Sequence, residues 1–262
     1  MIVTPLNLFL FIFGTVNYCA NIINLKYNSL EDNTPPFNSI FSIDCLVFGY
    51  DAGELKILLI ERNEEPFKDW YALPGYIVKQ EESLNDAAER IVYELTGLRD
   101  LPMKQFHTFG DVDRHPKGRV ITVGYYALIR ITGQKELRSI STMARKAFWH
   151  PVKTLPKLAF DHSDIFHTGF AKIRRRLTHQ PIAFDLLPEK FTLTQLQGLY
   201  EAILDKKLDK RNFRKKMLSY GYLKELVEKQ RGVSYRAAKL YKFDRRKYAK
   251  IFQNEIGPSA AQ

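Results

Sequence analysis

From Ser42 onward, apolar and polar positions alternate between two periods. The runs "SIDCLVFGYD" and "LKILLIERN" are rich in β-branched and apolar residues and are separated only by "AGE". That pattern predicts two strands joined by a tight hairpin. "WYALPGYIV" reads as a third strand, broken at Pro74-Gly75. The period then lengthens. Leu84, Ala87, Ala88, Ile91, Val92 and Leu95 form a stripe at helical spacing, with Ser83 as N-cap, Asp86 at the capping-box position and Gly97 as terminator. Strand character resumes at "KQFHTFG" and "RVITVGYYALIRI", joined by the polar loop "DVDRHPKG". "KAFWHPV" follows as a further strand, and "LAFDHSDIFHTGFAKIRRRL" reads as a helix starting after Asp161 or Ser163.

Beyond residue 178 the signals change again. "FTLTQLQGLYEAIL" predicts a helix capped by Thr192 with Gln195 in the box position, burying Leu193, Leu196, Leu199, Tyr200 and Ile203. Asp209 caps a second helix, "KRNFRKKMLSYG", with Phe213, Met217 and Leu218 expected inward. "LKELVEKQRGVSYRAAKLYKFD" then predicts a strand, a basic loop and a returning strand. Helix, short turn, basic helix and basic hairpin is the order of a winged helix-turn-helix. The organisation expected is therefore an apolar extension and linker over 1–40, a mixed sheet with helices over 41–178, a winged helix over 179–252 and a flexible tail over 253–262.

Charge sharpens this division. The chain carries 40 Lys and Arg against 29 Asp and Glu, a net of +11 in 262 residues. Between Lys206 and Lys250 lie 17 basic and four acidic residues, so this segment holds +13 and the remainder sums to −2. An excess confined to one patterned segment is the footprint of a polyanion-binding surface. In the second helix the candidates are Lys210, Arg211, Asn212, Arg214 and Lys215, for base edges and phosphates. In the hairpin they are Lys229, Arg231, Arg236 and Lys239, for the backbone.

Other classes recede. Two cysteines and six scattered histidines offer neither a disulfide framework nor a metal-ligand spacing. No metal and no cofactor are expected, and a reducing cytoplasm is the default compartment. "PLNLFLFIFGTV" is apolar but short of the roughly 20 residues of a spanning helix. No Lys or Arg precedes Lys26, as a signal peptide would require. The first forty residues are expected to lie outside the fold, as from a start site set too far upstream, and no membrane partner is expected.

The sheet and the helix "SLNDAAERIVYELTGL" resemble the Nudix hydrolase family, whose box places glutamates at i, i+3 and i+4 on one helix face. Aligned on "TGL", Arg90 matches the box arginine, Glu82 the first glutamate, and Glu94 the first of the paired glutamates. Tyr76 stands at the glycine position, Ile91 at the glutamate after the arginine, and Leu95 at the second paired glutamate. In the family, glutamates on one face hold divalent cations against a diphosphate, and the cations activate a water. A single remaining carboxylate is a poor Mg²⁺ site.

With its basic winged helix, the chain from about Ser42 to Lys250 is similar to the Nudix-related transcriptional regulators, above all in "FTLTQLQGLYEAILDKKLDKRNFRKKM". That resemblance implies an α+β protein: a Nudix-like α/β/α sandwich that senses an effector, followed by a winged helix that binds operator DNA. Known effectors are ADP-ribose-like nucleotides and pentoses, and the degenerate box looks closer to the sugar-responsive, arabinose-regulator branch. The candidate effector residues are Tyr76, Glu94, Asp111, Asp113 and Arg114. No residue is assigned a catalytic role, with Glu82, Arg90 and Glu94 as the remnants of the box. A homodimer on a palindromic operator is expected. An active ADP-ribose-type pyrophosphohydrolase with an accessory nucleic-acid-binding domain is the alternative, and an RNA-binding module is a third. Replacing Arg211 and Arg214 together is expected to abolish a gel shift with promoter duplex and leave circular dichroism unchanged. Wild-type affinity should fall with salt at a log–log slope of about −0.9 per neutralised phosphate; a flat slope would remove the DNA assignment.

Overall fold

A computed structural model describes residues 40–131, 136–137, 141–230 and 237–255. Strands β1 (Ile40–Asp51) and β2 (Glu54–Arg62) form an antiparallel hairpin. Its turn residues Ala52 and Gly53 both take positive φ, 49° and 85°. A two-residue turn of that hand matches the right-handed twist of the strands it joins, which is why glycine sits there. Two short strands, β3 (Tyr71–Ala72) and β4 (Gly75–Ile77), flank Pro74 and pair with β2 and β1 respectively.

Helix α1 (Leu84–Thr96) has the caps expected of it. The Ser83 side chain accepts from the Asp86 amide, and Gly97 closes the helix in the left-handed conformation. β5 (Lys104–Phe109), β6 (Val120–Arg130), the short β7 (Glu136–Leu137) and β8 (Ala144–Pro151) complete the sheet, whose order is β5-β6-β1-β2-β8-β7. β1 lies parallel to β6 in unbroken register from Ile40↔Val120 to Tyr50↔Arg130. Sequence patterning did not foretell that pairing.

The centre of the sheet is covered on both sides, as its near-continuous apolar runs require. Ile43, Cys45 and Val47 of β1 face α1, meeting Ile91, Val92 and Leu95. Leu46 and Phe48 face the other way, toward helix α2 (His162–His179), where Phe166, Phe170, Ile173 and Leu177 cover them. Asp44 shares the second parity and so lies on the side of α2.

The segment from Ile182 completes the fold. A 3-10 turn (Ile182–Leu186) precedes α3 (Leu193–Leu204) and α4 (Lys210–Ser219), then β9 (Leu223–Lys229), β10 (Lys239–Phe243) and α5 (Arg245–Glu255). Thr192 and Gln195 form the reciprocal capping box, and Asp209 caps α4 through the Asn212 amide. Phe191 exchanges two backbone hydrogen bonds with Tyr241, tying the start of α3 to the hairpin. Leu196, Leu199, Tyr200 and Phe213 belong to the same buried cluster as Leu46 and Phe48 of the sheet, so the apolar core is unbroken across residue 178.

Two readings need amendment. Leu218, expected inward, is 46% exposed. At about 100° per residue it stands roughly 140° around the helix from Phe213 and 100° from Met217, which alone are buried on α4. The basic run after Phe243 forms a helix, α5, that the hairpin reading did not foresee. The expectations for residues 1–39 and for the tail beyond 255 fall outside the described residues, as do Arg231 and Arg236. No helix among the described residues is long and apolar enough to cross a membrane.

Leu196 is fully buried in the shared cluster. Its replacement by alanine is expected to cost about 2–5 kcal/mol. Calorimetry should still show one transition in that variant, because the sheet and the hairpin share that core. Separate melting of the two halves would contradict the shared core.

Candidate functional site

A cleft of about 230 Å³ opens between β1, β4, the loop before β6 and the start of α2. Its polar floor is built by strand parity. Asp44, 5% exposed, points from β1 toward α2, and a Cβ on Gly75 would lie 1.9 Å from its carboxylate, so the close approach demands glycine there. His162, the first residue of α2, accepts a hydrogen bond from the Leu73 amide at Nδ1 (3.0 Å). Its Nε2 thereby carries the proton and faces Asp44 Oδ1 at 3.4 Å.

Arg114 closes the cluster. Its guanidinium forms a two-pronged pair with Asp161 at 2.8 and 2.7 Å, donates to Thr122 and lies 3.9 Å from Asp44. Asp161 is therefore occupied sideways and makes no side-chain cap to α2, although it sits at the N-cap position. Burial raises the Asp44 carboxyl to about 7, against the lowering pull of Arg114. Burial likewise lowers the His162 imidazole to about 3.

Around this floor stand cations and rings. Arg62 lies 4.8 Å above the Phe160 ring, and His115 stacks on the same ring at 4.9 Å. Phe160 has φ 51°, a left-handed conformation that costs an aromatic residue on the order of 1–3 kcal/mol and tends to mark functional sites. Lys117 and Tyr76, the latter 38% exposed, also line the cleft.

Of the residues expected to meet an effector, Tyr76 and Arg114 line this cleft, whereas Asp111 and Asp113 are exposed on the preceding loop and are not among its lining. Glu94 lies elsewhere, on α1. Arg90 grips Glu82 through two hydrogen bonds of 2.7 and 2.6 Å and Glu94 through one of 3.1 Å, and donates to the Ile77 carbonyl. The Arg90 hydrogen bond holds Glu82 down to about 2. Sequence reasoning missed Asp44, Arg62, Thr122, Lys117, Phe160 and His162. A legible signal existed for two of them: an acid inside the apolar strand "SIDCLVF" and a histidine closing "LAFDH", since such groups are seldom buried unpaired.

The divalent cation that a Nudix fold implies does not suit these residues. Ile91 and Leu95 are 0% and 1% exposed, part of the core beneath the sheet. Both remaining carboxylates of the box, Glu82 and Glu94, are already paired with Arg90. Among the described residues, no group of three His, Cys, Asp or Glu is placed to hold a metal ion.

The second candidate surface is α4. Lys210, Arg211, Asn212 and Lys215 are exposed. Arg214 differs: it is half-buried, reaches Thr194 of α3 at 3.4 Å, and its Nε is buried without a hydrogen-bond partner among the described residues. Lys239 is paired with Glu225 at 2.6 Å. The Lys229 side chain, Arg231 and Arg236 lie outside the description.

Comparison with known proteins meets this geometry at both ends. Residues 41–168 match the NUDIX domain, and residues 183–243 match the NrtR DNA-binding winged helix domain. The chain is 33% identical over 232 residues to the ADPR responsive transcriptional repressor NtrR of Acinetobacter baylyi, covering 87% of this chain and 90% of the relative. The chain belongs to the NrtR-like family of Nudix-related transcriptional regulators. NrtR of Shewanella oneidensis, solved with a 27mer DNA, superposes with a TM-score of 0.68 at 26% identity, covering 80% of this chain and 95% of that one. A MutT/nudix family protein of Enterococcus faecalis gives 0.67 at 28% identity, over 85% and 93%. The Nudix half alone is also 37% identical over 110 residues to an ADP-ribose pyrophosphatase of Methanocaldococcus jannaschii, 42% of this chain and 63% of the relative. None of these NrtR-like or Nudix relatives is described as responding to a sugar.

The Asp44 carboxyl gives a pH test with a definite sign. Its folded value of about 7 lies above the ordinary 3.8, so its contribution to stability is full below about pH 4 and is lost as pH rises through 7. Arg114, Arg62 and His115 favour its charged form, and Asp161 opposes it. Asp44→Asn removes this titration. The stability of wild type relative to Asp44→Asn is expected to decline between about pH 4 and pH 7 in thermal melts and level off above; a constant difference would refute the assignment.

Proposed function

We propose that this NrtR-like regulator senses ADP-ribose, or a nucleotide diphosphate closely like it, in the cleft over Asp44, and that it does not hydrolyse the ligand. The observation that carries the proposal is the cleft's lining: Arg62, Arg114 and Lys117 stand beside the rings of Tyr76, His115 and Phe160. Guanidinium and ammonium groups suit a diphosphate, and aromatic faces suit a base. The volume of about 230 Å³ is smaller than the roughly 300–1,000 Å³ of drug-sized sites, so the cleft in this shape holds part of such a molecule and the rest crosses its open mouth. The ADPR-responsive relative supports the nucleotide over a pentose.

Hydrolysis is disfavoured by the same helix that gives the family its chemistry. Apolar Ile91 and Leu95 pack inward, and Arg90 neutralises Glu82 and Glu94. Glu94, first considered as a ligand contact, serves in this reading as a structural partner of Arg90. On DNA, the start of α4 enters the major groove, with Lys210, Arg211, Asn212 and Lys215 reaching bases and phosphates, while Arg214 braces α4 on α3. Lys229, Arg231, Arg236 and Lys239 hold the backbone from the wing. The protein acts as a cytoplasmic homodimer and represses, and the effector weakens DNA binding by favouring another geometry of the dimer.

Titration calorimetry is expected to show saturable binding of ADP-ribose, weakened roughly tenfold or more by Arg62→Gln as a charge-assisted contact is lost. With Mg²⁺ present the nucleotide should be recovered intact. Mg²⁺-dependent turnover that disappears in Glu94→Gln would overturn the non-hydrolytic reading in favour of a pyrophosphohydrolase.

A further inference from the structure

A second cavity, of about 610 Å³, lies away from the cleft, among the end of α2, α3, the inner face of α4 and α5. This volume falls within the range of small-molecule sites. Its walls are apolar and aromatic: Leu177, Leu204, Phe213, Met217 and the rings of Tyr200, Tyr220 and Tyr222. Tyr220 and Tyr222 stack at 5.3 Å with an interplanar angle of 13°, giving a flat surface beside the space.

Two phenols and two lysines line the cavity. Tyr200 and Tyr222 are each 6% exposed, and neither hydroxyl has a hydrogen-bond partner among the described residues. Burial pushes both phenols well above the usual tyrosine range, so at neutral pH they remain donors. Lys206 and Lys216 line the same space as exposed cations.

Several of the other polar groups there already have partners. Asp209 accepts from the Asn212 amide, Gln180 Oε1 accepts from Arg176, and the Ser219 and Thr178 hydroxyls donate to backbone carbonyls. Beside the Asp209 carboxylate at the α4 cap, the cavity offers two phenols, two lysines and apolar aromatic walls.

We propose that this cavity is a second small-molecule site and that it takes a planar aromatic carboxylate. The ring system lies against Tyr220 and Tyr222, and the carboxylate accepts from the phenols of Tyr200 and Tyr222 within the field of Lys206 and Lys216. The proposal is independent of what the Asp44 cleft binds.

The test uses the full chain and calorimetry with 2-naphthoate, with 2-naphthylmethanol as the uncharged comparison. Saturable binding of the acid is expected, roughly tenfold or more tighter than the alcohol, as follows from hydrogen bonds to a charged group. The double variant Tyr200→Phe, Tyr222→Phe should lose a similar factor while keeping its rings. Lys216→Gln, on the exposed side of α4, provides a second variant that leaves the core intact and should also weaken the acid but not the alcohol. Absence of saturable binding in the wild type would overturn the proposal. So would equal affinity for acid and alcohol, or an affinity indifferent to both the phenol and lysine changes.

Discussion

Strand β1 is paired on both edges and buried on both faces, and most of the remaining structure is arranged around it. Its parallel register with β6 runs the full length from Ile40 to Tyr50, while β2 and β4 pair antiparallel with its other edge. Because side chains alternate, Ile43, Cys45 and Val47 build the core beneath α1, and Leu46 and Phe48 build the one beneath α2. One residue of the second set is an acid. Asp44 lies where a hydrophobe would otherwise sit, and Arg114, His162 and Gly75 are placed to accommodate it. A one-residue slip would move Asp44 into the α1 core, so the register that makes the sheet also makes the cleft.

The box helix keeps its place in the fold with Ile91 and Leu95 where the family's box has glutamates. A carboxylate on that face would sit against the sheet, where burial of an unpaired charge is costly. Isoleucine and leucine at 91 and 95 instead extend the stripe that begins at Leu84 and remove the desolvation penalty. Arg90 keeps its place and binds Glu82 and Glu94, so the conserved-looking trio of the box is an ion-pair network that pins the end of β4 through the Ile77 carbonyl. The cleft over Asp44 is lined by arginine and aromatic groups that come from other elements.

In the winged helix, net charge and available charge differ. Of the basic side chains in that half, Lys190, Lys207, Lys239, Lys242 and Arg245 are paired with acids. Arg214 turns inward between α3 and α4. The basic residues that stay exposed on α4 are Lys210, Arg211, Lys215 and Lys216, the first two at the helix start where Asp209 anchors the backbone. Paired surface lysines add little to stability. Their effect here is to withdraw part of the positive charge of this half from solvent-facing, unpaired groups.

Local pattern alone was enough for the elements and their ends. The hairpin turn at Ala52-Gly53, the caps at Ser83, Gly97, Thr192 and Asp209, and the order helix, helix, hairpin all depend on neighbours within a few residues. The missing glutamates at 91 and 95 were legible for the same reason, and so was the concentration of charge beyond residue 205. The parallel pairing of β1 with β6 joins residues about 80 apart, and no local periodicity records which strand a buried strand will choose. The cleft depends on it, because Asp44, Arg114 and His162 come from three distant segments and become a unit only when the sheet and α2 are assembled. Leu218 and Arg214 were misplaced for a related reason: their facing depends on what α4 packs against. Sequence determined which groups exist and which local shapes they take; tertiary structure decided which distant groups share a desolvated site, since burial and charge pairing are properties of neighbours in space.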